Sequence, residues 1–370
     1  MRVLAAISGT RRPGMGIVPR LFYSYRRVLK RLVVFLSIAV PGIIVLIADN
    51  DAGGITTYAV SGARHGYNLL WLVFLMFPMV YFIQEMTVRV GAVTKLGHAE
   101  AVFHGFGKSW GWFLIADLGI VNWLTLVTEY IGMTSALRIL GVPPVVTVLL
   151  AFLVLTLIVV TVVGTTITSW QIVFQQSSVV DKGLDEKDIP YARLDTLFGS
   201  VFTCAVTGII MICSAAAFHY RAFPVKINDA AQAAEMLVPV GGRVAGVLFA
   251  IGLFNAGLLG AICLSLSSSW AIGEVFGWAH SLNKRVREAP WFYVTYALIL
   301  LTAGAVVLVP GAPLAEITLF VQVVAITLLP ASLVFMMLLL NDRQLMGLTY
   351  RAAPVWLTIA AIPNGFRSRT

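Results

Sequence analysis

Charge is what this sequence has least of. Of its 370 residues only 12% are Asp, Glu, Lys or Arg, where soluble globular domains carry roughly 25%. Acids are the scarcer sign, 17 against 26 Lys plus Arg. A soluble chain of this size cannot cover its surface with so few charges. The 59% of apolar residues and the mean hydropathy of +0.90 therefore call for an apolar solvent, a lipid bilayer. Cysteine is nearly absent too. Cys204, Cys213 and Cys263 lie in apolar stretches, form no CxxC or Cys/His ligand spacing, and read as small core residues. The five histidines, His65, His98, His104, His219 and His280, lie near loops, and neither HExxH nor GxSxG occurs, which argues against a membrane-embedded hydrolase. The net charge of +9 does not point to nucleic acid, because the cations fall in short clusters between apolar runs and build no basic face.

A helix needs about 20 apolar residues to cross a bilayer. Segments of that kind occur near 33–62, 68–90, 110–135, 144–180, 197–218, 243–270, 291–309 and 315–340. The expected fold class is an all-α polytopic membrane protein with about eight transmembrane helices. Residues 1–32 form a basic, disordered cytoplasmic arm, 33–345 the transmembrane domain, and 346–370 a cytoplasmic tail. With the N-terminus in the cytoplasm, 21 of the 26 Lys and Arg fall on the cytoplasmic side, leaving Arg64, Arg138, Arg221, Lys226 and Arg243 outside. The positive-inside rule expects that bias, in a plasma (inner) membrane. The run after the basic arm ends in acids and offers no small-residue cleavage site, so it reads as a retained first span.

Two spans are interrupted, and the interruptions carry the polar residues. The first holds Asp49-Asn50-Asp51-Ala52-Gly53-Gly54. An intact helix would place two carboxylates in hydrocarbon at about 2.5–3.5 kcal/mol each, beside two helix-disfavouring glycines. The hexapeptide is expected to unwind and to face a site inside the bundle, where irregular backbone is tolerated. Asp51 is the preferred cation ligand, against the alternative of a protonated or Arg-paired structural acid. The second interruption is Gly164-Thr165-Thr166-Ile167-Thr168-Ser169-Trp170-Gln171, whose clustered hydroxyls are hard oxygen donors. Singly, each would more simply bond the carbonyl of the preceding turn. A pair of interrupted apolar segments points to a midplane substrate site of a secondary transporter.

Other intramembrane polar residues are less specific. Gln322 could reach a hydrated ion or bond a neighbouring helix. Glu85 and Arg89, four apart, most simply pair. Glu129 is expected to face the cavity, Asp117 is left open, and Asn255 reads as interhelical glue.

These motifs resemble the NRAMP family of divalent metal transporters, and its branch of NRAMP-related magnesium transporters. The family unwinds its first helix at Asp-Pro-Gly-Asn, where this chain has Asp51-Ala52-Gly53-Gly54. Its sixth helix carries Gly-Ala-Thr-Val-Met-Pro-His, against which Gly164 to Trp170 aligns without a gap. Gln84-Glu85-Met86 through Arg89, Gly91 and Val93-Thr94 look like the end of the family's second helix. Phe174 to Lys182 resembles the segment after the unwound sixth helix, and Gln322 matches a glutamine of the tenth. The resemblance implies an inverted-repeat fold with unwound first and sixth-type helices. It implies a transported divalent cation rather than a bound cofactor, with Asp51, Gly54, Thr165, Thr168, Gln322 and Asp49 around the ion and Glu129, Trp170 and Gln171 along its path. It implies no enzyme activity, and a monomer.

The departures narrow the expectation. Thr168 replaces the family's thioether ligand and Gly54 its asparagine, leaving oxygen donors in a roomy site, which suits Mg²⁺ better than Mn²⁺ or Fe²⁺. Trp170 replaces a histidine and Leu126 an acid, so uptake is expected to run without proton coupling. Between the third-helix and sixth-helix motifs the chain also lacks one hairpin of two crossings. The alternatives kept open are an Mn²⁺/Fe²⁺ transporter, a non-transporting degenerate membrane protein and, disfavoured by the acids at 49 and 51, an amino-acid transporter.

Overall fold

The computed structural model describes residue 48 and residues 50–161, 170–219 and 230–350. Every regular element among them is helical. In chain order the α-helices are α1 (Ala52–His65), α2 (Trp71–Thr94), α3 (His98–Phe106), α4 (Lys108–Ile139), α5 (Pro144–Thr161), α6 (Trp170–Asp181), α7 (Ile189–Ser214, preceded by a 3-10 turn at Glu186–Asp188 and prolonged by a π-turn to His219), α8 (Ala230–Phe276), α9 (Pro290–Val307), α10 (Leu314–Asn341) and α11 (Arg343–Tyr350). Gly242, at φ 75°, interrupts α8, so its membrane-crossing part is Gly241–Phe276. Among the described residues six helices are long and apolar enough to span a membrane: α2, α4, α7, the second part of α8, α9 and α10. The span expected over 33–62 lies outside the described residues except for its end, which is α1. The one expected over 144–180 consists of two helices, α5 and α6, with 162–169 between them outside the described residues.

The core forms where α4 and α8 lie side by side and α5, α6 and α9 close over them. Trp270 of α8 packs edge-on against Phe174 of α6, with centroids 4.5 Å apart, and tilts against Phe292 of α9 at 6.1 Å. Leu126, Tyr130 and Met133 of α4, Leu155 of α5 and Tyr296 of α9 are fully buried with them. The Tyr296 hydroxyl donates to the Leu155 carbonyl at 3.1 Å, giving a buried polar tip a partner. The outer faces are as apolar as the core. Phe74 is 81% exposed and Val244 69%, and Leu248, Phe320 and Val323 resemble them. Surface of this kind is fitted to lipid rather than water. Cys213 belongs to it: only Cys204 and Cys263 are buried, so the core reading of Cys213 is corrected. Asn255 is likewise exposed on α8 and is not interhelical glue.

Charged residues concentrate at one end of the bundle. The Lys95 ammonium reaches Asp185 Oδ1 at 2.6 Å and holds that carboxyl below its usual range. Asp181 accepts from the Leu282 amide at 3.2 Å, and Asn283 donates back to the Asp181 carbonyl. The basic loops around 95, 182–193 and 284–287 therefore share one end, as the positive-inside count requires of them.

Glu85 pins α2 to α7. It pairs with Arg89 one turn on, as the spacing predicts, and with Arg193 Nε at 2.7 Å. Glu85 and Arg89 are buried while Arg193 is half-exposed. Removing the carboxylate leaves the Arg89 charge buried and unpaired. Glu85→Ala is therefore expected to cost about 3–5 kcal/mol, while Arg193→Ala costs no more than about 1. Unfolding of the purified variants in detergent measures both, and equal losses would mean that Arg89 is not the stranded charge.

Candidate functional site

The chain breaks its helical course at Asn50 and Asp51, between helical Ala48 and α1. The break is shorter than expected. Asp51 has extended backbone (φ −67°, ψ 173°) and caps α1, its Oδ1 accepting from the Gly54 amide at 2.5 Å while its carbonyl accepts from Ile55. Ala52, Gly53 and Gly54 are the first turn of the helix, so the glycines do not serve to unwind it. Asn50 is tied to α7, donating to the Thr203 carbonyl at 3.5 Å and accepting from the Thr207 hydroxyl at 3.2 Å.

Gly53 serves close approach instead. A Cβ there would collide with Gln322 Nε2 of α10 and stand 3.1 Å from Thr128 Oγ1 of α4 and 3.5 Å from Asp51 Oδ1. Three polar side chains, from α10, from α4 and from the residue that caps α1, thus surround one Cα. A fourth joins from α4: Glu129 Oε2 accepts from the Ala52 amide at 3.0 Å. Asp51 and Glu129 together satisfy free amides of the first turn, at the positive end of the helix dipole. The two carboxyls also face each other closely enough to interact. Held together in a dry site, they need a proton or a cation between them. Glu129 Oε1 is buried without a hydrogen-bond partner among the described residues.

The wall behind Glu129 is α8. A Cβ at Gly260 would stand 2.8 Å from the Glu129 carboxyl carbon and Oε2, and one at Gly257 3.0 Å from the Glu129 carbonyl. The glycines at 257 and 260 let α8 close the site.

Of the residues singled out from sequence, the structure brings Asp51, Glu129 and Gln322 together. Gly54 contributes its amide to Asp51 and has no side-chain donor. Asp49, Thr165 and Thr168 lie outside the described residues. Trp170 and Gln171 open α6, so this end of the second interruption is helical rather than unwound; their side chains are likewise outside the described part. Asp117 is buried on α4, and its Oδ1 has no hydrogen-bond partner among the described residues. Twelve residues from Glu129, it lies about 18 Å away along the helix and belongs to no shared site. Thr128 was not anticipated. Its position next to Glu129 in an apolar helix was the available signal, and its own bond to the Thr125 carbonyl at 2.7 Å is the ordinary membrane-helix pattern that conceals it. Among the described residues no three His, Cys, Asp or Glu side chains converge, so any ion here would be held largely by amide, hydroxyl and backbone oxygen beside the acids.

A sequence profile of the Nramp family, described as "Natural resistance-associated macrophage protein-like", matches residues 42–161 and 155–363. The chain belongs to the Nramp family. A relative from Xylella fastidiosa (strain 9a5c), named divalent metal cation transporter MntH, is 25% identical over 403 residues, covering 90% of this chain and 82% of the relative. A protein of the same name from Staphylococcus aureus (strain JH9) is 32% identical over 108 residues, 29% of this chain and 24% of that one. Crystal structures of the manganese transporter of Eremococcus coleocola superpose with TM-score 0.66 over 96% of this chain and 87% of theirs at 16% identity, a likeness of fold. The alignment with the Xylella relative is longer than this entire chain, so that Nramp relative carries residues this one lacks. The family match also falls into two segments that meet at 155–161, next to the expected loss of a hairpin.

The crowding at Gly53 has a measurable consequence. Gly53→Ala is expected to destabilise by about 1–3 kcal/mol through overpacking, and Gln322→Ala in the same chain to recover at least half of it. Additive losses in a double-mutant cycle of thermal unfolding would show that the two positions do not touch.

Proposed function

We propose that this chain takes up divalent cations across the plasma membrane, Mg²⁺ before Mn²⁺, without coupled proton transport. The Nramp family places it among divalent metal cation transporters and not among enzymes, and its apolar helices make it a multi-pass membrane protein. The observation that carries the finer reading is the convergence of the Asp51 carboxylate and the Gln322 amide around Gly53. In this reading the ion is the substrate. Asp51 supplies the charge, Gln322 and backbone oxygen the neutral donors, Asp49, Thr165 and Thr168 complete the shell, and Trp170 and Gln171 line the way past it. Gly54 shapes the site by anchoring Asp51, and Glu129 steadies the first turn of α1 while countering the ion's charge.

Preference for Mg²⁺ rests on the donors. Oxygen-only sites suit hard cations that keep part of their water, whereas transition metals gain from the sulfur that Thr168 replaces. Absence of coupling rests on the missing relay: Trp170 cannot titrate, and Leu126 is fully buried and apolar where an acid would pass a proton on. The transporter domain of this reading is 33–345, acting as a monomer, with the basic arm 1–32 and the tail 346–370 in the cytoplasm. The manganese transporter of the shared fold keeps Mn²⁺ as the second ion. The block absent relative to the Xylella protein favours a second reading, a folded membrane protein that has lost transport.

Uptake into proteoliposomes at fixed membrane potential separates these. Saturable Mg²⁺ entry is expected to exceed Mn²⁺ entry and leave the internal pH unchanged. Asp51→Asn should lower it at least about tenfold, and Asp117→Asn should leave it unaltered. Acidification accompanying Mg²⁺ would refute uncoupled transport, Mn²⁺ preference would reassign the ion, and no uptake by folded protein would establish the second reading.

A further inference from the structure

At the basic end of the bundle, away from the site around Gly53, four exposed or half-exposed rings form a continuous row across three helices. Trp112 of α4 meets Phe276 of α8 edge-on at 5.3 Å. Phe276 stacks on Trp278 at 4.7 Å and 18°, and Trp278 lies 5.6 Å from Trp291 of α9. Local chemistry sets this geometry. Gly277 takes φ 66° and lets the Trp278 amide bond back to the Gly273 carbonyl at 2.9 Å, folding Trp278 over Phe276. The row is not core, since Trp112, Phe276 and Trp291 are 47%, 48% and 58% exposed.

Cations adjoin the row. Lys108 lies one turn before Trp112 on the same helix face. Lys284, Arg285 and Arg287 sit on the α8–α9 turn and are exposed, and none of the four forms an ion pair among the described residues. The turn is held in place: the Tyr293 hydroxyl donates to the Lys284 carbonyl at 2.8 Å, and Asp181 anchors Leu282. The one acid within it, Glu288, accepts from the Arg285 amide at 2.8 Å and is outnumbered by the three cations. Amphipathic rings settle at the headgroup level of a bilayer, and cations just beyond them face lipid phosphate.

We propose that the row Trp112–Phe276–Trp278–Trp291 and the cations Lys108, Lys284, Arg285 and Arg287 form a binding site for an anionic phospholipid. The rings flank its glycerol and upper acyl segments, while the cations take the phosphate and the charged headgroup. The source of the phosphate is a lipid, because the rings supply apolar contact that a free ion cannot use.

The test is native mass spectrometry of the full chain in detergent, titrated with phosphatidylglycerol or phosphatidylcholine of the same acyl length. Phosphatidylglycerol is expected to be retained at least about tenfold better. Replacing all four cations by Gln should abolish the preference, whereas Lys187→Gln at the same end and Arg138→Gln at the other should preserve it. Trp112→Leu with Trp291→Leu is a second variant that keeps every charge and should weaken retention of phosphatidylglycerol. Inorganic phosphate should not displace the lipid. Equal retention of the two lipids, an unchanged preference in the four-cation variant, or displacement by phosphate would each overturn the proposal.

Discussion

A backbone amide at membrane depth has no water to turn to, and the first turn of α1 presents several of them inside the bundle. Asp51 and Glu129 answer that demand, one from the residue before the helix and one from α4, each accepting an amide of the turn. Much of the arrangement follows from this pairing. Two carboxyls drawn to the same helix end must tolerate each other, which makes the spot attractive to a cation. The helix that they cap must leave room for the side chains of Gln322 and Thr128, which accounts for a glycine at 53. The helix behind Glu129 must come close enough to exclude lipid, which accounts for the glycines at 257 and 260.

Packing in this chain therefore follows membrane rather than aqueous logic. Apolar side chains are as much at home outside as inside, so hydrophobicity alone cannot decide which face of α4 or α8 turns inward. Small residues and polar tips decide it. Gly132 leaves space for Ala52, Asn122 of α4 donates to Ser267 and Ser268 of α8, and Tyr296 finds a carbonyl on α5. The ion pair of Glu85 with Arg89 and Arg193 fastens α2 to α7 by the same rule, since a buried charge must carry its partner with it.

The two ends of the molecule differ for an electrostatic reason. Cations gathered at one end bind the loops through Lys95 and Asp185 and border the aromatic row formed by α4, α8 and α9. That end is tied to itself, while the cluster around Gly53 lies deeper, where charge is scarce.

Hydropathy, loop charge and the order of motifs are local properties, readable in any chain that must enter a bilayer. They determined the helical membrane class, most of the spans, the shared side of the basic loops, the family and the break in helical course at Asp51. The pairing of Glu85 with Arg89 was equally local, one helical turn apart. Only the tertiary structure decided that Glu129 caps α1, that Thr128 and Gln322 meet over Gly53, that Asp117 stands apart, and that Asn255 and Cys213 face outward. Each of those depends on how helices far apart in sequence are rotated against one another. In a chain apolar on every face that rotation leaves no periodic trace, because close contact at glycine and hydrogen bonds at polar tips set it rather than hydrophobic burial.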